Sequence, residues 1–362
     1  MNIRRSFLSL VVFGVISLIL IACGDSADNT TNDSTSDSPE ASETMEPITL
    51  SYADFFPATH EAGIQLAQGW ADSVEEITDG LVQVEVYPGE SLLDSGDIYE
   101  GVISGVADVG HSSIGYNLGR FPLMGAMYLG GFSYKNSVAA SYVARDMVEE
   151  FSPEELEDTK IMFVYSLGPG DILSKNKVET LEDLQGMEIR ASGNQIKTFD
   201  LLGATPIDID MPDTYESLSR GVVDGLVAPV EALEGWNLAE VTDYITEVPF
   251  VYNNVHYVTM NREVWDSLPS DIQEKIEALN EEMFEEAAAP LIDGINETAE
   301  QYLEENFEHE TIHLSEEEQE RWLEKLEPIK EDYIKELDDQ GIPGQEVIDK
   351  LEELTEKYNE KY

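Results

Sequence analysis

The 362-residue chain has one cysteine, Cys23, and only 20 lysines and arginines against 75 aspartates and glutamates. A lone thiol excludes an internal disulfide and any cysteine-based metal site, so stability must come from a core. The acidic excess excludes nucleic acid and anionic lipid surfaces as partners, because like charge repels at long range. No GxxxxGK[ST] loop is present to hold nucleotide phosphates, and no GxGxxG follows a strand pattern. Two short matches to catalytic signatures remain, and both lack the required context. "HETIH", 309–313, has the HExxH letters, but zinc chemistry needs both histidines one turn apart on a helical face. Ile312 and Leu314 alternate there like a short strand, which would set His309 and His313 ~13 Å apart at ~3.3 Å per residue. "GHSSIG", 110–115, approaches the GxSxG elbow around Ser112, yet Ile114 stands where the strained turn needs glycine. No catalytic residue, metal or cofactor is expected.

What is present begins with an address. "MNIRR" is a basic start, and "FLSLVVFGVISLILIA" is an apolar run shorter than the ~20 residues of a membrane span. It ends on Ala22, with Cys23 and Gly24 next. Residues 1–22 are therefore read as a signal peptide. "LIAC" looks like a bacterial lipobox, with Cys23 lipidated as the mature N-terminus. "RRSFL" faintly resembles a twin-arginine signal, so the export route stays open. Residues 23–46, with almost nothing apolar after the cysteine, are expected to form a flexible, self-repelling tether. The membrane is touched only through the lipid. Loss of residues 1–22 removes Arg4 and Arg5 and leaves 18 basic residues against 75 acidic ones, a net charge of −57. At ~1 M salt the Debye length is only ~3 Å, so this excess suits a protein working outside the cell in brine.

From Ile48 the texture is that of a folded domain. "ITLSYADFF" and "LVQVEVYPG" read as strands flanking a helix that ends near Gly80. "VADVGHSSIGY" is a buried strand ending in a polar loop. A helix near 137–150, then "KIMFVYSL", "GMEIRAS", "NQIKTFDLLGA", "TPIDI", "DTYESLSRG" and "VVDGLVAP" continue the alternation. Strands alternating with helices predict mainly parallel α/β sheets. From Pro269 onward the pattern is helical. A long helix should bend near Pro290, and a second is opened by a capping box from Ser315 to Glu318.

Arg190 stands inside the strand pattern "GMEIRAS" of this acidic chain. An arginine at a strand end lies where α/β sheets bind ligands. Its planar fork matches a carboxylate with two parallel hydrogen bonds. A buried guanidinium must meet either a ligand or an acid such as Asp208 or Asp210. The segments "VEVYPGESLLDSGDIYEGVISGVADVG", "LEDLQGMEIRASG", "LLGATPIDIDMPDTYESLSRGVVDGLVAP" and "VTMNREVWDSLPSDIQ" follow in order. Together they closely resemble the solute-binding proteins of tripartite ATP-independent periplasmic (TRAP) transporters, over about 47–360. The resemblance implies a two-lobed periplasmic-binding-protein architecture that closes on a small organic acid and delivers it to a membrane permease. It also implies that the arginine of the G-x-x-I-R strand pairs with the substrate carboxylate. That role falls on Arg190, with Ser192 just beyond it.

Two departures from the family pattern narrow the expectation. Many members carry a second arginine about twenty residues earlier, where this chain has "SLGPGDILSKNK". Many have asparagine before the proline that follows V-D-G, where this chain has Ala228. Both losses favour a monocarboxylate with an apolar or aromatic tail over a dicarboxylate. Phe55, Phe56 and His60 follow the first strand, Ser113 and Tyr116 follow another, and Tyr215 and Pro229 belong to the opposite lobe; all are expected at the cleft. The first lobe is expected to comprise 47–167 with 255–295, and the second 168–254 with 296–362, with long C-terminal helices bracing both. A monomer is expected. The binding protein of an ATP-driven importer or a ligand sensor would share the architecture, the importer without this motif series; an extracellular hydrolase is the remaining alternative.

Overall fold

A computed structural model describes residues 46–117 and 119–362. The signal peptide, the Cys23 lipidation site and nearly all of the tether lie outside the described residues.

Two sheets carry the fold. The first has the order β2-β1-β3-β10-β4, with β1 Ile48–Asp54, β2 Val82–Tyr87, β3 Val109–Ser113, β4 Thr159–Ser166 and β10 Val255–Asn261. The second has the order β11-β9-β5-β8-β6-β7. Its strands are β5 Asp171–Ser174, β6 Glu188–Ala191, β7 Thr205–Asp208, β8 Gly225–Ala228, β9 Tyr244–Glu247 and β11 Glu310–His313. Both sheets are mixed, which corrects the expectation of mainly parallel ones. The βαβ units run parallel, as β1 does with β2 and β3, and β6 with β7 and β8. Of the strands that cross over from the other sheet, β5 and β10 arrive in reverse, whereas β11 runs parallel to β9. Thus β10 is antiparallel to β3 and β4, and β5 is antiparallel to β8 and β9.

The two crossovers, 167–170 and 248–254, lie side by side. Leu167 N donates to Asn254 O at 2.8 Å. Ser166 Oγ bonds Asn253 Oδ1, and Gln195 Nε2 donates to Asn253 O at 3.0 Å. Gly170 is required by this contact: a Cβ there would stand 2.8 Å from the Ala228 carbonyl carbon and 2.6 Å from the Tyr252 ring.

The helices cover the sheets with apolar faces. Gly69–Ile77 buries Trp70, whose indole N–H donates to Asn280 Oδ1 at 2.8 Å and so fixes the helix Ser270–Met283. That helix runs into a π-turn at Phe284–Ala288, and a new helix starts at Leu291. The break falls at Pro290, which has no N–H to continue the ladder. The helix Glu316–Asp339 reaches both sides of the molecule. Its Glu318 carboxylate accepts from Leu181 N at 3.1 Å, and Tyr333 Oη donates to Pro122 O at 2.7 Å. Ser315 caps it by accepting from Glu318 N at 3.2 Å. The reciprocal half of the capping box is absent, because the Glu318 side chain is taken by Leu181 and Arg321. The last helix, Gly344–Lys361, packs on Ser137–Phe151, where Asp146 accepts from Lys357 Nζ at 2.9 Å. Full burial of Trp70, Trp322 and their neighbours contributes ~1.5–3 kcal/mol per large apolar side chain.

No helix among the described residues is long and apolar enough to cross a membrane.

Candidate ligand-binding site

Arg190 sits on β6 between β7 and β8, paired in register with Ile207 and Leu226. Only 2 % of its surface is exposed. Nε donates to the Ile209 carbonyl at 2.7 Å, which fixes the plane of the guanidinium. One terminal nitrogen has no hydrogen-bond partner. No carboxylate comes within ion-pair distance of Arg190 among the described residues. Asp210 is half-buried and accepts from Ser95 Oγ at 3.3 Å, and Asp208 is exposed. Burial raises the Asp210 carboxyl above its usual range, with the Arg190 charge pulling against it. The same opposition acts on the Tyr116 and Tyr252 hydroxyls, raised by burial and drawn back by Arg190.

Arg190 lines a small cavity between the two sheets, about 20 Å³ in volume. Phe55, Phe56, Tyr116 and His256 line it from the first sheet's side, and Leu167 and Asn254 from the crossovers. Arg190, Met211, Ala228, Pro229, Glu231, Ala232 and Trp236 line it from the second, and Tyr252 comes from a crossover. The rings form a contiguous cluster. Phe55 lies 4.0 Å from Phe56, 5.8 Å from Tyr116 and 6.2 Å from Trp236 between centroids. Such walls desolvate a charge and strengthen its interactions.

Of the residues singled out from sequence, Arg190, Phe55, Phe56, Tyr116 and Pro229 meet at this cavity. His60 stands one layer behind, 4.5 Å from the Phe56 ring, with Nε2 3.1 Å from Glu231 Oε2. Ser113 Oγ is occupied by Asn254 Oδ1 at 2.7 Å and Tyr128 Oη at 2.9 Å. Ser192 is fully buried with its hydroxyl unpartnered, and it is not among the lining residues. Tyr215 does not line this cavity; it lines an adjoining open groove that shares Phe55 and Trp236 with it, and donates to Glu240 at 2.7 Å. Ser112 Oγ donates to the Ser95 carbonyl at 2.9 Å. "HETIH" forms the edge strand β11, and no group of metal-ligating side chains gathers there or elsewhere among the described residues.

Residues 52–336 match the bacterial extracellular solute-binding proteins, family 7 (DctP). The chain belongs to that family. Among family 7 relatives, a solute-binding protein of Roseobacter denitrificans is 26 % identical over 212 residues, covering 57 % of this chain and 64 % of that one. The C4-dicarboxylate-binding periplasmic protein of Rhodobacter capsulatus is 25 % identical over 292 residues, 78 % of this chain and 86 % of that one. A TRAP periplasmic solute-binding protein from Desulfovibrio salexigens, solved as an open complex, superposes with TM-score 0.75 at 33 % identity, over 86 % of this chain and 96 % of that one. A marine-metagenome TRAP solute-binding protein specific for aromatic acids, solved with 3-hydroxybenzoate, gives TM-score 0.80 at 27 % identity, over 86 % and 99 %. The two-sheet architecture is thus the two-lobed fold of TRAP solute-binding proteins. Family and neighbours are binding proteins, with no enzyme among those compared.

Sequence reasoning missed His256, Glu231 and Trp236. One signal was available: five histidines serve the whole chain, and three of them, His60, His111 and His256, are buried together beside the cavity.

Proposed function

We propose that this family 7 protein captures a small aromatic or otherwise apolar monocarboxylate outside the cytoplasm and passes it to a TRAP permease. The observation that carries this reading is that Arg190, buried and with one guanidinium nitrogen unpartnered, lines an aromatic-walled cavity between the sheets. A carboxylate would complete its planar fork with charge-assisted hydrogen bonds. The specificity of the marine-metagenome relative for aromatic acids supports the choice of tail. A cavity of about 20 Å³ holds one water, whereas ligand pockets run to ~300 Å³ and above. Ligand therefore enters by separation of the sheets about the paired crossovers, and its contacts to both sides favour the closed form. In this reading the lobes are 47–167 with 255–295 and 168–254 with 296–362, and the protein acts as a monomer. Lipid on Cys23 holds it beside its permease, so Cys23→Ala should move the protein from the membrane fraction to the medium.

Calorimetry with benzoate in high salt tests the central claim. Arg190→Ala should weaken binding by ~2 kcal/mol or more, about thirtyfold. Unchanged affinity in that variant would refute the assignment.

A further inference from the structure

A second polar group beside the cavity is as unsatisfied as Arg190. His256, on β10 of the first sheet, lines the cavity with 1 % of its surface exposed, and its Nδ1 has no hydrogen-bond partner. The other two buried histidines each have polar groups within reach, although His111 Nδ1 also makes no hydrogen bond. His60 Nδ1 accepts from Ala62 N at 3.1 Å, so the hydrogen is on Nε2, aimed at Glu231. His111 has Asp54 Oδ1 at 3.0 Å on one side of its ring and Tyr165 Oη at 2.9 Å on the other. His256 is instead enclosed by rings, with centroids of Phe55 at 5.2 Å, Phe56 at 5.6 Å and Tyr165 at 5.3 Å. A buried polar atom left unpaired is costly, and its persistence calls for a partner that arrives later.

We infer that His256 is the second recognition pole of the site and selects monocarboxylates bearing a hydroxyl at the end remote from the carboxylate. The inference rests on Arg190 as the carboxylate anchor. Burial, together with His111 and His60 nearby, holds the His256 imidazole well below its usual range, so it is uncharged. An uncharged imidazole offers one donor and one acceptor, which a hydroxyl matches in either sense. A second carboxylate finds the wrong field there. The Glu231 carboxylate lines the same cavity, and Asp54 lies just behind His111. Like charges in a site of low dielectric repel strongly. The two poles also belong to different sheets, so a ligand carrying both groups would bridge the lobes, whereas one carrying a single group would hold only one of them.

The test is calorimetry on the mature chain in high salt with benzoate, 3-hydroxybenzoate, 4-hydroxybenzoate and succinate. Wild type should bind one hydroxybenzoate about tenfold more tightly than benzoate, the scale of one added hydrogen bond. Succinate should bind more weakly than either. His256→Phe should erase that preference, and His256→Gln should keep part of it. If His256→Phe does not fold, the wild-type ligand ratios and the glutamine variant still decide. Equal binding of benzoate and both hydroxybenzoates, tighter binding of succinate, no binding of any aromatic acid, or a preference that survives in both variants would overturn the inference. Arg190→Ala separates the two readings. If it leaves benzoate affinity intact, the anchor itself is wrong. If it abolishes binding while the His256 variants change nothing, only the second pole is wrong.

Discussion

His60 Nε2 and Glu231 Oε2 meet at 3.1 Å, one residue following β1 of the first sheet and the other following β8 of the second. Both are buried, and the Glu231 backbone N–H is held by Asn296 Oδ1 at 2.8 Å. The contact exists only while the two sheets are together, which makes it a clasp on the closed form. His60→Ala would leave the buried Glu231 carboxylate without this hydrogen-bond donor, and losing a hydrogen bond to a charged group costs ~1.5–3 kcal/mol. The variant should relax by opening. Small-angle scattering should then give a larger radius of gyration than wild type without ligand and the same radius with saturating ligand. Identical ligand-free radii would show that the pair does not restrain the lobes.

Trp236 is the one tryptophan of four that lines the cavity; Trp70, Trp265 and Trp322 are core residues. Ligand binding should change tryptophan emission, and Trp236→Phe should abolish that change. A response that persists in the variant would place the ligand elsewhere.

Glu155 provides a pH dependence of definite sign. Its carboxylate accepts from Leu123 N at 2.8 Å and Met124 N at 2.9 Å, yet burial pushes its pKa up to about 7. Between the unfolded value of ~4.3 and that point, the native protein keeps a proton that the unfolded chain has released. Stability from this group is therefore complete below the window and is lost as pH rises through it. Relative to Glu155→Gln, wild type should lose on the order of 1–2 kcal/mol between pH ~5 and ~8. Parallel denaturation midpoints for the two proteins across that range would count against it.

Salt should stabilise the protein. With a formal charge of −55 on the whole chain, self-repulsion is screened as the Debye length falls from ~10 Å at ~0.1 M to ~3 Å at ~1 M. The melting temperature should rise steadily with NaCl, in Arg190→Ala as much as in wild type. A flat profile would remove the argument for life in brine.

Much of this site was legible before the fold was seen, and the reasons are local. Arg190 stood out because a guanidinium in a strand of so acidic a chain demands a partner. Phe55 and Phe56 were found because they directly follow a strand end. Strand direction was not legible, since nothing inside β5 or β10 encodes which neighbour each will pair with; the crossover path decides it. His256 was hidden by its surroundings: β10 is buried at every position, and burial in a core looks the same in sequence as burial against a cavity. Tyr215, on the short helix Thr214–Arg220, lies on an open groove that shares Phe55 and Trp236 with the cavity, a placement that the sequence alone could not distinguish from direct lining.

The order in which the sheets are assembled has a consequence for the making of the protein. The first sheet is not complete until β10, at 255–261, slides between β3 and β4, and the second waits for its edge strand at 310–313. Each half waits for a strand far along the chain from its own first strand, β10 for the first sheet and β11 for the second. Ordering distant segments before they reward one another is slow. A newly made molecule thus passes through an interval with an unfinished sheet edge exposed, and at low salt its dense acidity would help keep neighbouring copies apart while that edge waits.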